Sequence, residues 1–343
     1  MVWFNFEHTF YFMTTLKQLA KLLNVSVSTV SKALSDADDI VEETKKRVKE
    51  LAETLNYKPN KLALGLKSNV TNTLGVVIPD ILNPFFAEVL YGIQKQANKK
   101  GYDTLVCISN ESTQTEINAI ELLKQGRIDG FIISPASETL QTNNFLHLEA
   151  AKNERIKFVM FDRVDNKIET DKVSIDDRLA VYNATEWLIK KGKTKIAYLS
   201  NIENLNISGE RRKGFYEALT KHKLQISPEY ELDLTNTNKA HRNIEKFIKT
   251  HDFDAAISVD NNSAIMFQSI LKSLLPEKVN SIPCIGFAND KSSKLAYPPL
   301  SYINQNATEM GVKAVDLMIE RIKDKSDNPK YKEVKISTQI VEA

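Results

Sequence analysis

Between residues 73 and 323 the chain alternates short β-branched or apolar runs with longer amphipathic stretches, and few folds accept that pattern. Residues 73–79, 104–109, 130–134 and 157–161 read as strands, with helices at 85–100 and 115–125 between them. A second series starts near Val173, with helices at 178–191, 210–222 and 263–274 and strands at 195–199, 255–259 and 282–286. Parallel strands need crossover helices, and those helices cover both faces of the sheet. The expectation is therefore α/β, two doubly wound lobes, followed by a further helix at 308–323.

Upstream lies a different kind of segment. Thr15 and Gln18 form a capping box, and Leu16, Leu19, Ala20 and Leu23 follow at helical spacing. Asn24 breaks that helix, and Ser26 is a good N-cap for a second one carrying Val30, Ala33 and Leu34 on one face. Val27, Ser28, Ser31 and Lys32 then project from the other face, as in the reading half of a helix-turn-helix that enters a major groove. After an acidic loop (Asp36, Asp38, Asp39), Val48, Leu51, Ala52 and Leu55 line a third helix. Residues 13–59 are thus expected to be a three-helix domain, with Thr15, Leu16, Ser26 and Thr29 joining Val27, Ser28, Ser31 and Lys32 in contacting DNA.

A net charge of +2 offers no general attraction for polyanions, so nucleic-acid binding must rest on that local arrangement. Residues 1–12 are aromatic but lack the basic start, aliphatic run and small-residue site of an export signal. They read either as a disordered extension or as a start placed ahead of Met13. No run is long enough for a membrane span, and the expected location is the cytoplasm. Cys107 and Cys284 sit in apolar runs, where buried, inert thiols are expected. No two of the eleven glycines are spaced G-x-G, and P-loop, H-E-x-x-H and G-x-S-x-G patterns do not occur, so neither an enzyme nor a cofactor is expected. The five histidines are scattered and read as surface or capping residues.

The segments TLKQLAKLLNVSVSTVSKAL, EETKKRVKELAETLNYKPN and LGLKSNVTNTLGVVIPDILNPFFAEVLYGI together resemble the LacI/GalR family of transcription regulators, and the likeness runs from Met13 to nearly the end. It implies a hinge helix at 60–67, within a hinge and linker of 60–72, lying in the minor groove with Leu66 as the wedge between base steps and Asn60 and Lys67 nearby. Eight residues including Gly65 are too few for a stable isolated helix, so such a hinge should order only on DNA. Leu64 stands where many members carry arginine. The rest, 73–343, would be a periplasmic-binding-protein-like core for effector binding and dimerisation. Its N-lobe would be about 73–174 and 305–330, and its C-lobe about 175–304 and 331–343, the helix at 308–323 returning to the first lobe.

Ligands of such sheets sit beyond the carboxyl ends of the strands. Asn83, Phe85 and Phe86 follow the first strand, Ser134 ends the third, Asp162 and Arg163 the fourth, Asp260 and Asn261 end a later one, and Asn289 follows Gly286. Carboxylates, amides and an aromatic face suit a polyhydroxylated ligand. The resemblance makes Phe86, Asp162, Arg211 and Asp260 effector contacts. Ala288 departs from it, standing where many members have a ligand-binding aspartate, with Asn289 expected to substitute. The resulting expectation is a repressor whose homodimer binds a pseudo-palindromic operator under control of a sugar-like effector. The alternatives are a periplasmic-type sugar-binding protein without a DNA role, or a regulator controlled by a partner protein.

Overall fold

The computed structural model describes residues 14–57, 70–126, 128–326 and 329–343, and the chain divides into two compact units, the second beginning at Asn72. The first unit has three helices among its described residues: α1 (Leu16–Leu23), α2 (Val27–Leu34) and α3 (Glu42–Thr54). Thr15 caps α1 in the expected reciprocal box with Gln18, and Asn24 ends it in the left-handed conformation at φ 55°. The Ser26 hydroxyl accepts from the Thr29 amide at 3.0 Å and so starts α2. Leu19, Val30, Ala33 and Val48 fill the centre, each at most 1 % exposed, and Leu51 and Leu55 pack beside them. The expected hinge helix, with Asn60, Leu64, Leu66 and Lys67, lies outside the described residues.

The second unit holds two six-stranded sheets. In the first, β1 (Thr73–Ile78), β2 (Asp103–Ile108), β3 (Gly130–Ile133), β4 (Phe158–Phe161), β5 (Asp171–Ile175) and β11 (Glu333–Ile336) lie in the order β11-β5-β4-β3-β1-β2, all parallel. The second is ordered β12-β10-β9-β8-β6-β7, from β6 (Ile196–Ser200), β7 (Glu231–Asp233), β8 (Ala255–Ser258), β9 (Cys284–Phe287), β10 (Ser301–Asn304) and β12 (Gln339–Val341). Only β12 is antiparallel to its neighbour in that sheet.

Helices α4 (Pro84–Lys99), α5 (Thr113–Gln125), α6 (Ser137–Thr142) and α7 (Leu146–Asn153) belong to the first lobe. The second has α8 (Asp177–Lys190), α9 (Asn206–Lys221), α10 (Thr237–Thr250), α11 (Asn261–Leu274) and α12 (Asp290–Leu295). Helix α13 (Ala307–Lys323) packs on α4, β3, β4 and β5, and so returns to the first lobe as expected.

Four readings need correction. The run near Val173 does not open the second series: it is β5, paired with β4 through Phe161↔Val173, and a loop rather than a helix joins the two strands. Residues 331–343 do not all belong to the C-lobe either, because β11 extends the first sheet beside β5 before the chain crosses to β12. Helix α9 starts four residues earlier than the periodicity indicated, running through Gly209. Cys284 is buried as expected, whereas Cys107 is only half-buried because β2 is an edge strand.

Helix pairs α4–α13 and α8–α9 approach closely through glycines. A Cβ on Gly311 would lie 2.2 Å from the Val89 carbonyl oxygen and 2.8 Å from the Ile93 nitrogen, whereas one on Gly209 would meet nothing within 4 Å. Gly311→Ala should therefore destabilise the second unit by about 1–3 kcal/mol through forced separation of two packed helices. Gly209→Ala should stabilise it by roughly 0.4–1 kcal/mol by removing backbone freedom from a helix. Chemical denaturation of the two variants measures both, and opposite signs are the expected outcome.

Candidate functional sites

In the first unit the amino-terminal end of α2 is presented to solvent. Val27 is 41 % exposed, Ser28 and Lys32 are exposed, and Ser31 and Thr29 are half-buried. The Ser26 hydroxyl lies 2.7 Å from that of Ser28 and 2.8 Å from that of Thr29, so three hydroxyls at the helix start form one connected group. Lys32 is paired with Asp39, and Lys49 donates to Asp36 at 2.9 Å, so lysines of α2 and α3 offset part of the acidic loop. The hydrogen bonds from those lysines hold both aspartates below their ordinary range. Thr15 is exposed at the start of α1, while Leu16 is half-buried against the helical core.

In the second unit a cavity of about 120 Å³ lies between the lobes. From the first lobe it is lined by Asn83, Phe85, Phe86 and Glu88 at the start of α4 and by Asp162 and Arg163 after β4. From the second come Asn201 after β6, Arg211 of α9, Asp260 and Asn261 after β8, and Phe287 and Asn289 around the end of β9. Asn304 and Gln305 complete it where the chain crosses back.

Arg211 is 4 % exposed and firmly held. Its Nε donates to Asp177 Oδ1 at 2.7 Å and its Nη1 to the Val259 carbonyl at 2.6 Å, while the guanidinium lies 3.7 Å from the Phe287 ring centroid. Burial pushes the Asp177 carboxyl up, against the pull of Arg211. Asp162, at φ 59° and 8 % exposed, is pushed up to about 6 by burial, with Arg163 opposing. Its side chain makes no hydrogen bond within 3.5 Å among the described residues, and the Arg163 Nε lies 3.9 Å away. Asp260 caps α11 through Oδ1, which accepts from the Ser263 amide at 2.8 Å. Among the described residues no hydrogen bond within 3.5 Å reaches its Oδ2 or Asn261 Oδ1, and burial raises this carboxyl too, against the pull of the Ser263 and Asn201 backbone amides.

The expected set is thus brought together with two exceptions. Ser134 ends β3 fully buried, with an unpartnered hydroxyl, but does not line the cavity. Asn289 lines it but is spent on the protein: its Oδ1 accepts from the Ser292 amide at 2.7 Å, and its Nδ2 donates across the cleft to Glu88 Oε1 at 2.7 Å. It therefore bridges the lobes with one N–H and one lone pair already engaged, leaving a single N–H and a single lone pair, where a carboxylate at 288 would offer two free oxygens. A second bridge runs from Asn206 Nδ2 to the Val164 carbonyl at 2.8 Å. Phe86 is both lining and core, 1 % exposed and edge-on to Phe161 at 6.2 Å.

Sequence reasoning passed over Glu88, Asn201, Asn304 and Gln305. Asn201 stands just beyond β6, a run read as a strand, and Asn304 and Gln305 stand at the end of a short apolar run, β10, that was not; Glu88, inside a helix, carried no such signal. His147, read as a surface or capping residue, is half-buried, with its Nε2 2.7 Å from the fully buried Glu116.

Known families and structures match both units. The family described as periplasmic binding proteins and sugar binding domain of LacI family matches residues 71–342, and that of bacterial regulatory proteins, lacI family, matches residues 15–60. The chain is 32 % identical over 316 residues to the HTH-type transcriptional repressor PurR of Aliivibrio salmonicida (strain LFI1238), covering 91 % of this chain and 93 % of the relative. It is 29 % identical over 325 residues to the HTH-type transcriptional regulator RegA of Clostridium saccharobutylicum, covering 93 % and 96 %. Among solved structures, the Lac repressor dimer bound to operator and the anti-inducer ONPF superposes with a TM-score of 0.83 at 19 % identity, over 96 % of this chain and 98 % of that one. The transcriptional regulator CelR–cellobiose complex does so with a TM-score of 0.68 at 19 % identity, over 96 % and 98 %. With a DNA-binding helical unit and a two-lobed effector-binding unit both matched, the chain belongs to the LacI family of bacterial transcription regulators.

Proposed function

We propose that this protein is a cytoplasmic repressor that binds a pseudo-palindromic operator as a homodimer and changes its grip on DNA when a small sugar-like molecule enters the cleft. The observation that carries the reading is the pairing, in one chain, of an exposed helix start bearing Val27 and Ser28 with a cleft holding buried acceptors that have no hydrogen-bond partner among the described residues. On this reading the protein works by binding alone. No described helix is long and apolar enough to cross a membrane. One reading helix spans too few base pairs for useful specificity, which favours two copies on two half-sites. Exposed apolar side chains on each lobe support self-association: Leu105 and Val106 on the edge strand β2, and Leu295 and Tyr297 at the end of α12. The Lac repressor and CelR structures, solved with operator DNA and with cellobiose respectively, are consistent with both halves of the proposal.

On this reading Thr15, Leu16, Ser26, Val27, Ser28, Thr29, Ser31 and Lys32 face DNA, with Asn60, Leu66 and Lys67 assigned to the hinge by the family resemblance. Phe85, Phe86, Asp162, Arg211 and Asp260 face the effector. Asn289 contributes through closure of the lobes, and Ser134 is not part of the effector site.

The DNA half is tested by selecting preferred duplexes from a random pool with the full chain. A palindromic consensus bound by two chains is expected, with affinity falling steeply in salt through phosphate contacts from residues such as Lys17 and Lys32. Exchanging Val27 and Ser28 should change the selected bases at symmetric positions. If affinity falls while the consensus stays the same, the reading face lies elsewhere.

Asp162 supplies a pH signature. Its carboxyl is pushed up to about 6, so the folded state holds a proton that the unfolded chain releases nearer 3.8. The stabilisation of the protonated form is complete at low pH and is lost as pH rises through about 6. Asp162→Asn should therefore be more stable than the parent near pH 7.5, by up to roughly 3 kcal/mol, and this advantage should shrink by roughly 1–1.5 kcal/mol near pH 5. Denaturation curves at the two pH values measure it, and a pH-independent difference would contradict the assigned burial.

A further inference from the structure

Both guanidinium groups that line the cleft are already neutralised from behind. Arg163 Nη1 and Nη2 donate to Glu111 Oε2 and Oε1 at 2.6 and 2.8 Å, the two-bond fork typical of a strong arginine–carboxylate pair. Arg211 is bound in turn by Asp177. Neither Glu111 nor Asp177 lines the cavity, so these acids cancel its positive charge without being available to a ligand.

Among the described residues, no cation lies within hydrogen-bonding distance of the three carboxyls that do line it. Glu88 accepts from the Asn289 amide, Asp260 from the Ser263 backbone, and Asp162 has only the already engaged Arg163, 3.9 Å away. Burial raises the pKa of all three above the ordinary carboxyl range. The cleft also has an excess of acceptors, since Asp260 Oδ2 and Asn261 Oδ1 are buried and accept no hydrogen bond among the described residues. A buried acceptor left unpaired is costly, and a ligand rich in hydroxyl donors removes that cost. A ligand phosphoryl or carboxylate group brings further acceptors and more negative charge instead.

The aromatic rings narrow the class further. The guanidinium of Arg211 covers a face of Phe287 at 3.7 Å, and that of Arg163 lies 5.3 Å from the Phe86 centroid. Phe86 is also turned edge-on to Phe85 and Phe161. These two rings therefore do not form an open facing pair between which a planar base would stack.

From this we infer that the cleft selects an uncharged, hydroxyl-rich ligand, an unphosphorylated sugar or polyol, and rejects the corresponding phosphate ester or sugar acid and planar bases. The inference rests on reading this cleft as the effector site. It makes the negative lining a specificity device: the two arginines orient hydroxyl oxygens while their backing acids prevent them from recruiting an anion.

The test is calorimetric titration of the full chain with matched pairs: pentoses, hexoses and disaccharides, each beside its phosphate ester or uronic acid, together with adenine and hypoxanthine. A neutral sugar should bind, with its anionic counterpart weaker by ~100-fold, as expected for an anion a few ångströms from several poorly screened carboxylates. Asp260→Asn keeps the helix cap, because asparagine caps as well as aspartate. It should narrow that gap to ~10-fold, as one of the repelling charges is gone. Asn261→Ala, which breaks no hydrogen bond of the side-chain oxygen within the protein, should weaken the neutral sugar alone. An anionic member binding as tightly as its neutral partner, with affinity lost in Asn261→Ala, would overturn the charge selectivity while keeping the effector site in this cleft. Binding unchanged in both variants would overturn the cleft reading itself. Tight binding of a base, or no binding of any neutral member at about 10 mM, would overturn the ligand class.

Discussion

The arrangement of the second unit depends on one buried cation. Arg211, on α9, reaches Asp177 at the start of α8, the Val259 carbonyl beyond β8, the face of Phe287 on β9 and, at 3.4 Å, Gln305 where the chain crosses back to the first lobe. A guanidinium offers five donors in a fixed plane, so satisfying it constrains the relative positions of these segments. Leaving it unpaired would carry the cost of a buried charge, and that penalty rather than net attraction is what makes the constraint strict. Glu111 and Arg163 repeat the device in the first lobe and tie the loop after β2 to the end of β4.

Around these two anchored cations the cleft is held by weaker ties. The Glu88–Asn289 and Val164–Asn206 hydrogen bonds cross between lobes at half-buried or exposed positions, where each contributes modestly. A molecule that satisfies Asp162, Asp260 and Asn261 adds bonds only when the lobes are together, so its binding energy favours the closed arrangement over any open one. That is the physical link between occupancy and shape on which regulation of the DNA-binding unit would draw.

What could be read from the sequence follows the range of the interactions involved. The helical unit was legible because caps such as Thr15 with Gln18 and Ser26 with Thr29 are local, and apolar residues recur at helical spacing within each helix, as Leu16, Leu19 and Leu23 do in α1 and Val48, Leu51 and Leu55 do from α3 to its C-cap. The first strands of each lobe were legible as continuous apolar runs, as buried parallel strands are. Strands β11 and β12 were not: Glu333–Ile336 is polar and only partly buried, and which sheet it joins is decided by β5, far away in sequence. The site divides in the same way. Strand ends pointed to Asp162 and Asp260, but nothing local showed that Glu111 would claim Arg163, that Asp177 would claim Arg211, or that Asn289 would be consumed in bridging the lobes. Those pairings span dozens to hundreds of residues.

On the proposed function, the cleft and the DNA-reading helix share one conformational equilibrium. Thermodynamic linkage makes such coupling reciprocal: whatever factor the ligand applies to operator affinity, the operator applies to ligand affinity. The direct measurement is titration of the cleft ligand into the full chain with and without saturating operator duplex, beside the same titration with scrambled duplex. The account predicts a change of roughly 5- to 150-fold in ligand affinity on operator, equal to the change in operator affinity caused by the ligand, and a much smaller change on the scrambled duplex. Identical ligand affinity in all three titrations would show that the two units are not coupled, and would contradict the account.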